Sequence, residues 1–194
     1  MLSLTKTVFT EFIEKKSKFK TRLFSVESEK EVSEILDLTR KEEKSASHNC
    51  YAYRIYSPHG LLERKNDDGE PGGTAGAPML SVLQGKDLVN VLVVVTRYFG
   101  GIKLGTGGLV SAYKKGARDC VEFAEKNNLL KEFIVRKKYS LIFLINETEK
   151  INYLISTHDL VVKNKQFTKD VIYTMLLGDE EKKFFKKYNL ELIK

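Results

Sequence analysis

Apolar and polar residues alternate along residues 7–26, TVFTEFIEKKSKFKTRLFSV, around a charged centre, which predicts one long strand or a hairpin. Ser28 and Glu31 have the spacing of a capping box, and Val32, Ile35, Leu36 and Thr39 follow at helical intervals, predicting a helix over about 29–44. The tyrosine-rich run at 48–56, HNCYAYRIY, reads as a strand, with a loop at 57–60 after it. Residues 66–78, NDDGEPGGTAGAP, are too rich in glycine, proline and aspartate for a regular element, and Met79–Leu88 reads as a short helix opened by Pro78. From Val91 a β-branched run leads through Arg97-Tyr98-Phe99 into Gly100, Gly101, Gly105, Gly107 and Gly108. A helix leaves that loop with Leu109, Tyr113, Ala117, Cys120, Val121 and Ala124 on one face.

The pattern resets after Asn127-Asn128. Residues 132–145 read as a strand, Glu147–Thr157 as a helix capped by Asn146, Leu160–Lys165 and Asp170–Leu177 as two strands, Asp179–Tyr188 as a helix, and Leu190–Ile193 as a strand stub. This β-α-β-β-α-β order is that of a ferredoxin-like module. The expected fold is therefore α+β, with one domain over 1–130 and a small ferredoxin-like domain over 131–194.

Net charge changes the picture only modestly. The 194 residues carry 33 basic and 26 acidic side chains, for a net charge of +7. Residues 1–130 hold 20 basic and 17 acidic groups and the remainder 13 and 9, so both parts are positive. That permits a polyanionic partner without requiring one. No apolar run approaches the length of a membrane span, no secretory leader is indicated, and Cys50 and Cys120 have neither metal-type nor disulfide-framework spacing. A cytoplasmic protein without a membrane partner is expected.

Four groups of residues carry candidate chemistry. A strand, glycine loop and helix aim backbone N–H groups at an anion, so Gly105, Thr106, Gly107 and Gly108, with Arg97 and Lys103 near, form a candidate phosphate site. The spacing is neither that of a Walker A loop nor that of a dinucleotide fingerprint, and glycines also serve close packing of the backbone. Asp67, Asp68 and Glu70 lie within four residues and are a set that can hold Mg²⁺ with its waters, though a turn in which Asp caps its own backbone is the favoured reading of the segment alone. Otherwise no metal or cofactor is assigned. His48 and Cys50, two apart on a strand, share a face; a buried structural cysteine beside a hydrogen-bonded histidine is favoured over a His-assisted thiolate. His59 sits in a turn. Lys16, Lys18, Lys20 and Arg22 share one face if the period is two, and offer phosphate contacts or simply a solvated charged face.

His48-Asn49-Cys50-Tyr51-Ala52-Tyr53, Asp67-Asp68-Gly69-Glu70-Pro71, Gly73-Thr74-Ala75-Gly76 and the run Arg97 to Gly105 together resemble the IMPACT family in its bacterial, YigZ-like form. The resemblance spans residues 1–130 most strongly. It implies an N-terminal domain of the ribosomal protein S5 domain 2-like type, followed by a ferredoxin-like domain similar to one in translation elongation factors. Eukaryotic members regulate translation under amino-acid starvation by competing for an activator of a starvation-responsive kinase, using an additional N-terminal domain. This chain begins at the shared domain, so that partner is not expected here. Two positions depart from the family pattern. Gly72 stands where serine is usual, and Ser111 stands where arginine is usual, which removes one phosphate contact from the helix start.

The resulting expectation is a translation-linked regulatory protein that binds RNA or a ribosome-associated factor, with no DNA sequence specificity and with no catalytic residues assigned. The alternatives are a small-molecule or nucleotide phosphate-binding enzyme, echoing the glycine-serine loop of kinases built on the same S5-like fold, and a purely protein-binding module.

Overall fold

A computed structural model describes residues 1–57, 60–158, 160–188 and 190–193. The chain is a mixed α and β protein with several sheets, and it divides into two compact units, Met1–Phe133 and Ile134–Lys194.

In the first unit the chain runs through β1 (Leu2–Leu4), β2 (Val8–Glu14), β3 (Ser17–Ser25), α1 (Glu29–Glu42), β4 (His48–Ser57), β5 (Gly60–Asn66), α2 (Gly76–Gly85), β6 (Val91–Tyr98), α3 (Gly105–Lys126) and β7 (Leu130–Glu132). Five strands form an antiparallel sheet in the order β2-β3-β6-β4-β5. β7 returns to pair with β1 and ties the end of this unit to its start.

Residues 7–26 form a hairpin. Its two central residues, Lys15 and Lys16, have φ of 45° and 63°, the pattern of a type I′ turn whose twist matches the flanking strands. Lys16 therefore sits in the turn and leaves the stripe expected to hold it with Lys18, Lys20 and Arg22, because the turn interrupts the period of two. The expected loop residues Pro58 and His59 lie outside the described residues.

β6 is the centre of the unit. Val91, Val93 and Val95 face the core under α2 and α3, while Leu92 and Val94 face the core that includes Val32 and Leu36 of α1. All five are at most 1% exposed, so the strand reads as an unbroken apolar run although the sheet is antiparallel. Burying each such side chain contributes about 1.5–3 kcal/mol, which makes β6 a firm base for the loop that follows it.

α1 opens as its sequence indicates. The Ser28 hydroxyl accepts from the Glu31 N–H, and the Glu31 carboxylate accepts from the Glu27 N–H. α2 differs from expectation: it begins at Gly76, not Met79, and ends at Gly85. Ala75 has no side chain to cap it. The Asp67 carboxylate does so from a distance, accepting from the N–H groups of Gly73, Ala75 and Gly76 at 2.7–3.0 Å.

The second unit contains β8 (Lys137–Phe143), a 3₁₀ turn (Ile145–Glu147), α4 (Thr148–Thr157), β9 (Val162–Phe167), β10 (Val171–Leu177), α5 (Asp179–Lys187) and β11 (Leu192–Ile193). Its antiparallel sheet has the order β11-β8-β10-β9. Leu141, Phe143, Val171, Tyr173, Met175 and Leu177 point from the central strands into a core shared with Ile151 of α4 and Phe185 of α5. Asn146 falls inside the 3₁₀ turn, so it is not the expected cap of α4. The N-cap of α4 is Glu147, which makes no side-chain cap hydrogen bond to the helix; its carboxylate accepts from the Leu144 N–H across the 3₁₀ turn.

Candidate functional site

In the first unit β6 and β4 lie side by side with Arg97 opposite His48, which brings the glycine loop after β6 next to the acidic loop between β5 and α2. The acidic loop is fastened to β4. The Asn49 N–H donates to the Asp68 carboxylate at 2.6 Å, the Cys50 thiol donates to the Asp67 carbonyl at 2.9 Å, and the His48 ring Nδ1 lies 2.7 Å from the Asp68 carbonyl. A carbonyl only accepts, so Nδ1 is the donor in this contact.

That fastening turns Glu70 inward. Its carboxylate is 3% exposed, and one oxygen accepts at 2.7 Å from both Arg97 Nη1 and the Tyr113 hydroxyl of α3. His48 Nε2 lies 3.9 Å from the other oxygen. Burial, joined by the neighbouring Cys50 and Glu70, pushes the Tyr113 phenol far above its usual range, so it stays a donor. Arg97 is itself 5% exposed, and its guanidinium lies 5.6 Å from the Phe19 ring and 5.5 Å from the Phe99 ring. Among the described residues its Nε–H has no hydrogen-bond partner.

The glycine loop starts against the hairpin turn. The Gly100 N–H donates to the Ser17 hydroxyl, and a Cβ at Gly100 would stand 2.0 Å from the Lys16 carbonyl carbon and oxygen. Only glycine permits that approach. Gly105 has φ of +77° and opens α3, whose N-terminus carries neither a side-chain cap nor an acidic residue in its first turn. The glycines thus divide between packing and presentation, and Gly107 has open space around it.

These parts enclose a cleft of about 500 Å³. His48, Glu70, Arg97 and Lys103 supply its polar wall, Gly105 and Thr106 bring the uncapped end of α3, and Phe99, Leu104 and Leu109 give it apolar surface. The positive helix end and Lys103 are suited to an anionic group, the Arg97 charge being matched by Glu70, which holds it in place.

Of the residues singled out in the sequence, Arg97, Lys103, Gly105, Thr106, Glu70 and His48 meet in this cleft. Gly107 is not in its wall, and Gly108 borders a smaller hollow with Phe12 and Lys115. Asp67 and Asp68 are anchors of backbone, and each of the three carboxylates serves different partners. As they stand they do not fit a Mg²⁺ ion, and among the described residues no group of three His, Cys, Asp or Glu side chains is arranged to hold a metal. The thiolate alternative at Cys50 fares no better, because burial pushes its thiol up to about 12.

The basic stripe lies on the α1 face of the sheet, away from the α2 and α3 face. Lys18 pairs with Glu11, Lys20 with Glu43, and Arg22 with Glu42 and Glu43, so much of its charge is matched within the unit. Tyr113 and Phe99 were not foreseen as site residues. Tyr113 carried only the signal of an apolar helix face, and Phe99 that of an apolar residue in a loop.

Residues 15–121 match the Impact N-terminal domain family, more than half of the chain. The chain belongs to that family. It is 46% identical over 109 residues to the IMPACT family member YvyE of Bacillus subtilis, covering 56% of this chain and 50% of the relative. It is 37% identical over 128 residues to the IMPACT family member YigZ of Escherichia coli, covering 64% and 63%. To the human Protein IMPACT it is 31% identical over 157 residues, 79% of this chain and 42% of that protein. The chain thus spans less than two thirds of the length of these relatives. A crystal structure of a hypothetical protein superposes with a TM-score of 0.72 at 29% identity, over 99% of this chain and 95% of the other. Among the described residues no helix is long and apolar enough to cross a membrane.

Proposed function

We propose that this family member is a cytoplasmic, translation-linked regulatory protein that binds RNA or a ribosome-associated factor, using the cleft of the first unit to hold an anionic group. In this reading the first unit is an S5 domain 2-like module and the second a ferredoxin-like one. The β-α-β-β-α-β order and the sheet order β11-β8-β10-β9 support the second assignment. Family membership supports the regulatory role.

The observation that carries the site is the convergence of an uncapped helix N-terminus, Lys103 and a buried arginine with a spare N–H on one cleft. The second unit contributes in a different way. The uncovered face of its central strands carries Lys138, Ser140 and Ile142 opposite Leu176, Thr174 and Ile172. These offer no aromatic platform for bases, so RNA recognition by stacking on that sheet is disfavoured and the first unit is the better candidate.

Co-sedimentation of the full chain with ribosomes, and RNA binding across a salt series, test the proposal. The expected result is association that weakens with salt and weakens further in Lys103→Ala. No association at any salt concentration overturns it.

A further inference from the structure

We infer that the cleft takes a nucleotide unit, with its phosphate at the α3 N-terminus and Lys103 and its base against Phe99; the inference rests on the reading of this cleft as an anion site. Three observations converge. The first turn of α3 is uncapped where it enters the cleft at Gly105 and Thr106, so its N–H groups and the positive helix end are available to an anion.

The second observation is Arg97. It lines the same cleft, is 5% exposed, and holds an Nε–H without a partner among the described residues. Leaving a buried donor unsatisfied is unfavourable, so the cleft wall holds a donor still in want of an acceptor. The Glu70 carboxylate, itself held by the Tyr113 hydroxyl, accepts from Nη1 and fixes the guanidinium before any ligand arrives.

Phe99 is the third, and it separates a nucleotide from a bare phosphate. It is 50% exposed, a large apolar ring left in solvent at the edge of the cleft, where Arg97 already lies 5.5 Å from it. An exposed ring beside a phosphate cradle is the arrangement on which a base stacks. The volume of about 500 Å³ falls in the range of small-ligand sites and suits one nucleotide. The shared chemistry is a nucleoside monophosphate, supplied by a free nucleotide or by the phosphorylated end of an RNA.

Binding of AMP, UMP, ribose 5-phosphate and inorganic phosphate to the full chain by titration calorimetry separates these contributions. Both nucleotides should bind about tenfold more tightly than ribose 5-phosphate or phosphate. Phe99→Ala should abolish that preference, Phe99→Tyr should keep it, and Lys103→Ala should weaken all four ligands. Nucleotides binding no better than phosphate, or a preference unchanged in Phe99→Ala, overturns the inference; a thermal melt of each variant checks that it is folded.

Oligoribonucleotides with a 5′-phosphate or a 5′-hydroxyl distinguish the sources. Preference for the phosphorylated end assigns the cleft to an RNA terminus. Nucleotide binding with no RNA binding upholds the inference with a free nucleotide and overturns RNA as the partner. RNA binding that ignores the end, without a nucleotide preference, overturns the inference and leaves the RNA reading standing.

Discussion

The guanidinium of Arg97 lies 2.7 Å from the carboxylate of Glu70, and both side chains are more than nine-tenths withdrawn from solvent. The Tyr113 hydroxyl donates to the same Glu70 oxygen, so a strand, a loop and a helix meet on one buried anion. Removing one member of such a pair leaves the other charge buried and uncompensated.

Glu70→Ala is therefore expected to lower stability by about 3–5 kcal/mol, read from urea denaturation of the full chain. Glu70→Gln keeps an acceptor for Tyr113 and Arg97 while losing the charge, and should cost less than the alanine variant. Equal losses for the two would show that shape, not charge and hydrogen bonding, dominates at this position.

Asp67 gives a different prediction because its partners are backbone groups. Burial alone would raise its carboxyl, but the N–H groups of Gly73, Gly76 and Ala75 overrule that and hold it below its usual value of 3.8. A carboxyl depressed in the folded state contributes stability that is present above the unfolded value and is lost as pH falls through the folded one. Asp67→Ala should cost about 3 kcal/mol at pH 7. It should also flatten the fall in melting temperature below about pH 4, and a variant melting profile parallel to the parent's would contradict this account.

What the sequence disclosed follows from how local each cause is. The run from Val91 into the glycines, the Ser28–Glu31 box and the β-α-β-β-α-β order rest on neighbours in the chain, and they are legible there. β5 is not legible because its residues, GLLERKN, carry no apolar–polar alternation; it is an edge strand defined by pairing with β4. The start of α2 was misplaced because its cap, Asp67, lies eight or nine residues upstream of the N–H groups it holds. In the site, Arg97 and Glu70 stood out singly. Their union depends on a register that sets His48 beside Arg97, and the sequence does not state that register.

The basic stripe shows the same limit from the other side. Its period of two was legible for Lys18, Lys20 and Arg22, but the carboxylates of Glu42 and Glu43 arrive from the end of α1, some twenty residues on. Burial would raise the Glu43 carboxyl, yet hydrogen bonds from Tyr98 and Lys20 and the charges of Lys20 and Arg22 hold it low. Lys20→Ala is expected to destabilise the protein by about 1 kcal/mol, the scale of a partly exposed pair, and to leave the salt dependence of RNA association unchanged. Lys103→Ala should do the reverse, reducing the salt slope by about one with little loss of stability. A reduced slope in Lys20→Ala would restore the stripe as a phosphate-contact surface.

Cys50 and Cys120 are both fully buried, and each thiol is raised chiefly by burial. Cys50 is pushed up to about 12 and Cys120 to about 11, from an ordinary value of 9.0. At pH 8 the native thiolate fraction is then on the order of one in a thousand or less, and neither sulfur is reachable. A disulfide reagent should label the native protein only as fast as it opens, and should titrate two thiols promptly in denaturant. The linkage has a definite sign. Below about pH 9 both states keep their protons, and above it the unfolded chain loses them first, so stability falls as pH rises towards 11 and 12. Replacing both cysteines with alanine should blunt that alkaline loss while costing some stability at pH 7 through the cavities left behind. Rapid labelling of Cys50 in the native protein at pH 8 would refute the structural role and return it to consideration as a reactive thiol beside His48.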